Sequence, residues 1–224
     1  MISSSTLKRP FVLLFSTLLL SVGAVAQDDR PQVSAEGLEL VSSNDYGAFY
    51  VRPGVTLSEY RNAELLAAFV AVDESWVKKY NRQAMRSRQL REKDLEEIRT
   101  RLASGFWEVF GGDFFGARTY QEVQEAKPSK LILRPAILDV SLVSVNTSNE
   151  TLVQNFGSDA NGKMTLVLEI YDAEDSQLVG RLFNAQPIGD DPDFGLESEA
   201  NNRADERKVF RTWAQEVVAA MKAN

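Results

Sequence analysis

Lys130-Leu-Ile-Leu-Arg-Pro-Ala-Ile-Leu-Asp-Val-Ser-Leu-Val-Ser-Val145 is the longest run of β-favouring residues in the chain, and its reading decides the fold. Turn-prone segments flank it on both sides, as expected of a strand. Leu138, Val140 and Leu142 alternate with Asp139 and Ser141, the period-two pattern of a half-buried strand. Leu131, Ile132 and Leu133 are apolar on both faces, which fits a strand covered above and below. Pro135 has no N–H to give to a ladder, so it predicts a bulge, a bend or locally unpaired backbone. Arg134 is the one charge inside the dense apolar part. A guanidinium there suits a buried or interface site; an exposed bulge beside Pro135 is the equal alternative.

On the N-terminal side of this strand lies an amphipathic helix pattern. Leu95, Ile98, Leu102, Phe106 and Val109 recur at steps of three and four, predicting a helix over 94–110. Asp94 reads as its N-cap with Glu97 completing a capping box. Gly111-Gly112 reads as the stop, after which Phe114 and Phe115 dock the exit loop. Gly105, Gly111, Gly112 and Gly116 follow a helix rather than open one, which argues against a phosphate loop. Further upstream, Ala63 to Val72 is apolar on both faces from Leu65 and reads as a buried inner strand, with a short buried helix as the competing reading.

On the C-terminal side, Met164, Leu166, Leu168 and Ile170 alternate with Thr165, Val167, Glu169 and Tyr171. Asp172 to Gln177 turns the chain, and Leu178 to Ala185 returns, so this is a hairpin. From about Asn202 a last helix places Phe210, Trp213, Val217 and Met221 on one stripe, with Arg203, Glu206, Arg207 and Lys208 off it. An aromatic stripe at helical spacing reads as core. Together these elements predict an α+β fold. It is a single two-layer domain, with a mixed, mostly antiparallel sheet of four or five strands and the helices 94–110 and 202–222 packed on it.

The N-terminus has its own logic. Lys8 and Arg9 precede an apolar run from Phe11 to Val22, and Ala24-Val-Ala26 completes an A-x-A cleavage pattern. This is the layout of a secretory signal. Its apolar run is shorter than the roughly 20 residues that span a bilayer. The expected organisation is therefore a signal peptide over 1–26, a flexible leader over 27–45 with a short strand at Leu38 to Val41, and one α+β domain over 46–224. Losing Lys8 and Arg9 leaves 23 of the 25 basic residues against 32 acidic ones, a net charge of −9. That balance argues against nucleic acid as a partner.

The chain has no cysteine and no histidine. That excludes disulfides, thiolate or imidazole zinc sites, and Ser-His-Asp or Cys-His nucleophiles. It also excludes a lipobox cysteine for N-terminal acylation. Asp190, Asp191 and Asp193 share a loop but lack the spacing of a calcium loop, so they read as an acidic surface segment. Asp193-Phe-Gly195 matches a kinase triplet in letters only. No cofactor and no metal set is read. The feature that stands out is basic. Lys78, Lys79, Arg82, Arg86, Arg88, Arg91 and Lys93 face a single acid, Glu92. Lys78, Lys79, Arg82, Arg86, Arg88 and Arg91 are the candidate interaction patch, for an anionic lipid headgroup or polyanionic envelope polymer. A solvated linker or helix extension is the alternative.

Four segments resemble a family of bacterial envelope proteins, domain of unknown function 3313. They are Tyr50-Val-Arg-Pro-Gly-Val-Thr-Leu-Ser-Glu-Tyr60, Leu131 to Asp139, Thr165 to Asp172, and the tail from Asn201-Asn-Arg-Ala-Asp to Phe210-Arg-Thr-Trp-Ala214. The similarity spans roughly Tyr46 to Met221. It implies an exported Gram-negative protein; many members are lipoproteins, and this chain departs from them at the missing lipobox cysteine. A soluble periplasmic form is expected, with no transmembrane span after signal cleavage. The resemblance carries over no catalytic residue. The leading expectation is a non-catalytic periplasmic binding or interaction module that works with cell-envelope machinery, its partner an envelope protein or anionic envelope surface. One alternative is a small-ligand carrier, which needs an apolar cavity between helix and sheet. Another is a carboxylate-dependent enzyme acting on envelope glycans, which needs two of Asp139, Glu169 and Asp172 to converge.

Overall fold

Eight strands and four α-helices follow one another in the computed structural model, which describes residues 30–117, 119–122, 130–142, 162–189 and 199–223. The expected signal peptide and the Asp190–Asp193 loop lie outside the described residues. In order the elements are β1 (Glu39–Ser43), β2 (Gly47–Val51), β3 (Asn62–Leu65), β4 (Phe69–Val72), α1 (Glu74–Gln83), α2 (Glu92–Phe106), α3 (Gly112–Gly116), β5 (Gln121–Glu122), β6 (Lys130–Ser141), β7 (Gly162–Asp172), β8 (Leu178–Ile188) and α4 (Glu199–Ala223). The sheet runs β1-β2-β8-β7-β6-β3-β5, and β4 also pairs with β6. The α+β class and the mixed sheet match the expectation; the strand number does not. Five of the eight strands are only two to five residues long, too short for period-two alternation to register in the sequence.

The long strand β6 is an interior strand, with antiparallel β7 on one side and parallel β3 and β4 on the other. Pro135 explains how that second side is divided. The ladder with β7 passes through Pro135, opposite Leu168, without a break. Leu66 donates its N–H to the Leu133 carbonyl at 2.9 Å, so the backbone of Leu133 and of Pro135, two residues on, faces β3 and β4. There the missing N–H coincides with an interruption: Leu65 lies opposite Leu133 and Phe69 opposite Ala136. The run Ala63 to Val72 is thus not one inner strand but two short ones, and β4 has β6 as its only strand partner among the described residues.

The bulge in β6 sits elsewhere. Between β6 and β7 the register shifts from Leu138↔Thr165 to Ser141↔Lys163, and Asp139 takes φ +53°. Aspartate tolerates this left-handed conformation better than the β-branched residues nearby. The extra residue reverses the parity of the strand. Val140 and Leu142 are buried, while Leu138 is half-buried on the opposite face with Ile132 and Ala136. Leu138 therefore does not share a face with Val140 and Leu142, contrary to the period-two expectation. Arg134 is on that outer face as well, and it is 67% exposed with Glu169 3.7 Å away. It is neither buried nor at a bulge.

One face of the sheet is covered by helices. Ile98, Leu102, Phe106 and Val109 of the first helical segment are buried, as their spacing predicts. Gly111-Gly112 does not end that segment. A π-helical turn over Trp107–Gly111 leads directly into α3, so Phe114 and Phe115 are helical rather than part of an exit loop. In a regular α-helix, residues four apart drift around the axis; the wider π turn offsets this drift. Phe106, Phe110, Phe114 and Tyr120 consequently stack in succession, with ring centroids 4.4, 5.9 and 5.4 Å apart. Gly111 packs against β3: an added Cβ would lie 3.3 Å from Leu65 Cδ2. The α2 helix begins two residues earlier than expected. Asp94 is not its N-cap but its third residue, where a carboxylate oxygen accepts the Arg91 N–H at 2.9 Å.

In α4, Phe210, Trp213, Val217 and Met221 are all buried. Glu206, expected off the core stripe, is 4% exposed and ion-paired with Arg101 of α2. The outer face of the sheet carries a second, smaller cluster of Leu38, Ala48 and Tyr50. The segment read as a flexible leader contributes to it: Leu38 is fully buried, β1 follows, and Glu36 pairs with Arg181 at 2.6 Å. Across the same face runs an apolar row, Phe69–Ala136–Val167–Phe183, in register over four strands. Among the described residues, no helix is long and apolar enough to cross a membrane.

Candidate functional site: a basic hairpin and an apolar cleft

The basic stretch is neither linker nor simple extension. It folds as a helical hairpin, α1 followed by a 3-10 turn over Arg86–Arg88 and the start of α2. Tyr80, Ala84 and Leu90 form its own small core, flanked by Trp76, Val77 and Leu95. Asn81 ties the two arms: its side-chain oxygen accepts the Leu90 N–H at 2.7 Å and its amide donates to the Leu90 carbonyl at 3.0 Å. The Gln89 amide returns a bond to the Asn81 carbonyl at 2.9 Å. Asp73 opens α1, its carboxylate accepting from the Ser75 N–H at 2.7 Å and from the Trp76 N–H at 3.3 Å.

The Ser75 side chain first, then the amides of Ser75 and Trp76, hold the Asp73 carboxyl below its ordinary range. A depressed folded-state value gives stability that is present above the unfolded pKa of about 3.9 and lost as the pH falls. Asp73→Ala is expected to cost about 1 kcal/mol at neutral pH, the usual worth of such a cap. The deficit should narrow below about pH 4. Parallel thermal melts of the two proteins at pH 7 and pH 3 check this; an equal deficit at both would show that the carboxylate charge is not what matters.

Of the candidate cations, Lys78, Lys79, Arg82, Arg86 and Arg91 are exposed and Arg88 is half-buried. Lys78 pairs with Glu74 at 3.3 Å, an exposed contact of small worth. Among the described residues no ion pair engages Lys79, Arg82, Arg86 or Arg91, although acids stand nearby on α2. Those acids are turned to Arg99, which meets Glu92 at 2.6 Å and Glu96 at 3.2 Å.

The strand carboxylates do not converge. The Glu169 carboxylate accepts from Arg181 and from the Tyr171 hydroxyl, each at 2.9 Å. Asp172 accepts the Tyr60 hydroxyl at 2.6 Å and the Glu174 N–H at 2.7 Å. Glu169 and Asp172 are three residues apart on β7 and so point to opposite faces. Asp139 meets Thr165, which is four residues, about 13 Å, from Glu169 along the strand. Desolvation first, then the Asp172 carboxylate, pushes the Tyr60 hydroxyl above its ordinary value, so it stays a neutral donor.

A site that the spacing arguments missed lies between helix and sheet. The β1–β2 hairpin, β8 and the last turns of α4 enclose a cleft of about 570 Å³. Its apolar walls include Phe49, Leu182, Ala219 and Ala220; Asn44, Asn184 and Glu216 supply the polar groups. Asn184 is 2% exposed and hydrogen-bonded at both ends of its amide. Its oxygen accepts the Trp213 indole N–H at 2.8 Å and the Gln186 amide at 2.9 Å, and its own amide donates to the Glu216 carboxylate. Burial raises the Glu216 carboxyl above the ordinary glutamate range, and the nearby Asn44 side chain opposes the shift. One sequence signal was available: Asn184 holds a core-facing place in β8, in step with Leu182. Glu216 gives no such signal, since it lies beside the aromatic stripe of α4 like any flanking acid.

No family model matches the chain, so the resemblance to domain of unknown function 3313 rests on the quoted segments. No curated protein matches it either. Solved structures do. The PelC dodecamer from Paraburkholderia phytofirmans is similar over 80% of this chain and 99% of its own, at 10% identity and a TM-score of 0.40. Protein XCC0632 from Xanthomonas campestris, of the family DUF330, is similar over 73% of this chain and 86% of its own, at 11% identity and a TM-score of 0.38.

Proposed function

We propose that this protein is a non-catalytic binding module of the Gram-negative periplasm that docks on an anionic envelope surface through the α1–α2 hairpin. The observation that carries the reading is the set Lys79, Arg82, Arg86 and Arg91. All four are exposed, and no ion pair holds them among the described residues. They stand on a hairpin with its own small core, in a chain that is otherwise acidic. Fixed cations of this kind attract an anionic surface by about 1 kcal/mol each within a Debye length. The export pattern at 1–26 supports the compartment, and the separate engagement of Asp139, Glu169 and Asp172 supports a role without catalysis.

The test is co-sedimentation of the purified protein with vesicles containing phosphatidylglycerol, against vesicles of phosphatidylcholine alone. Replacing Lys79, Arg82, Arg86 and Arg91 together by serine should weaken binding to the anionic vesicles at least tenfold at low salt, and leave the melting temperature nearly unchanged. Raising the salt should weaken the parent protein in the same way. Equal binding by parent and variant, or equal binding to both vesicles, would refute the reading.

A further inference from the structure

We infer that the cleft between the β1–β2 hairpin, β8 and α4 is a binding site for a small organic cation, an ammonium group on an apolar body, with Glu216 as the counter-charge. The size is right: about 570 Å³ falls within the usual range for small-molecule sites. So is the lining, apolar walls around a few convergent polar groups. The polar end is negative and nothing in the cleft offsets it. No lysine or arginine lines the cleft among the described residues. The Glu216 carboxylate accepts from the Asn184 amide, and Asn44 lines the cleft with it; these neutral amides orient the carboxylate without neutralising it.

The support behind Glu216 is built rather than incidental. Asn184 is itself fixed by the Trp213 indole and the Gln186 amide, so the carboxylate is placed by a chain of bonds that reaches into the core at Trp213. A half-buried carboxylate without a cation is costly, as the upward displacement of its pKa shows. An ammonium ligand removes that cost, whereas a carboxylate ligand adds a second negative charge beside the first. A neutral ligand gains the apolar walls alone. The acidic balance of the chain favours approach of a cation as well.

The experiment is an NMR titration of the folded protein with three probes of one shape: cyclohexylmethylammonium, cyclohexylmethanol and cyclohexanecarboxylate. The expected result is saturable binding of the ammonium probe, with shifts at the Gly47 amide, the Asn184 side-chain amide and the Trp213 indole. The alcohol should bind at least tenfold more weakly, and the carboxylate more weakly still. Glu216→Gln, close to isosteric, should bring the ammonium probe down to the level of the alcohol. Ala219→Phe, at an exposed helical position on the cleft wall, should block both without changing charge. Equal binding of ammonium and alcohol, undiminished ammonium binding by Glu216→Gln, or no shift at the cleft up to millimolar probe would overturn the assignment. None of these outcomes depends on the basic hairpin.

Discussion

Gly47→Ala is expected to destabilise the protein by about 3 kcal/mol, at the upper end for forced overpacking. Gly47 lies opposite Asn184 in the β2–β8 ladder. A Cβ built there would sit 2.1 Å from the Phe183 carbonyl oxygen and 3.0 Å from Asn184 Cα. Both are backbone atoms, so no side-chain rotation relieves the clash. Relief requires β2 to move off β8, and that strains the β1–β2 hairpin, the Asn44 turn whose side chain accepts the Gly47 N–H at 2.8 Å, and the wall of the cleft. Gly112→Ala is the internal control. Nothing lies within 4 Å of its added Cβ, and its helical φ of −57° suits any residue. It should stabilise by about 0.5–1 kcal/mol. Urea unfolding of the three proteins decides the matter: similar midpoints for both variants would mean that the β2–β8 approach is looser than described.

Trp213→Ala is expected to cost about 4 kcal/mol, in the range for emptying a large buried aromatic site. Trp213 is fully buried and lies within 5.8 Å of Phe210 and 6.4 Å of Phe106, ring centroid to centroid. It is also polar at one end. Its indole N–H is one of two donors to the Asn184 oxygen, so truncation opens a cavity and loosens a buried amide together. Domains of this kind retain only about 5–15 kcal/mol of net stability, so the variant should unfold at markedly lower urea. Trp213→Phe keeps most of the volume and loses the hydrogen bond. It should fall between the parent and the alanine variant, and the gap between parent and Trp213→Phe reads the worth of the indole–amide contact. A phenylalanine variant as stable as the parent would show that Asn184 does not rely on Trp213.

The contrast between these two sites shows what was legible in advance. The burial of Trp213 could be read from the chain, because Phe210, Trp213, Val217 and Met221 repeat with the period of an α-helix, and a helix must bury its apolar stripe. The hairpin of β7 and β8 was legible for the same kind of reason, its alternation being long enough to exceed chance, and β6 was legible as a strand from the length of its β-favouring run. The lack of histidine and cysteine, the export pattern and the acidic balance are properties of composition and need no fold. The basic run was visible too, since charge density along the chain is a local quantity.

Everything that depended on two distant segments meeting was decided by the tertiary structure. Pro135 announced a disturbed backbone, but its chain gives no sign that the disturbance falls on β3 and β4 rather than on β7. One residue in the left-handed region, Asp139, moves Leu138 to the other face, and an alternation rule has no way to register that step. Gly111-Gly112 carries the signal of a helix end because glycine favours one, yet the chain stays helical through both, with Gly111 against Leu65. The same holds for the cleft. Asn44, Asn184 and Glu216 come from a turn, a strand and a helix, separated by 140 and 32 residues along the chain. Their convergence follows from the register of β2 on β8 and the placement of α4, which are set by close packing across the whole core and not by any local pattern.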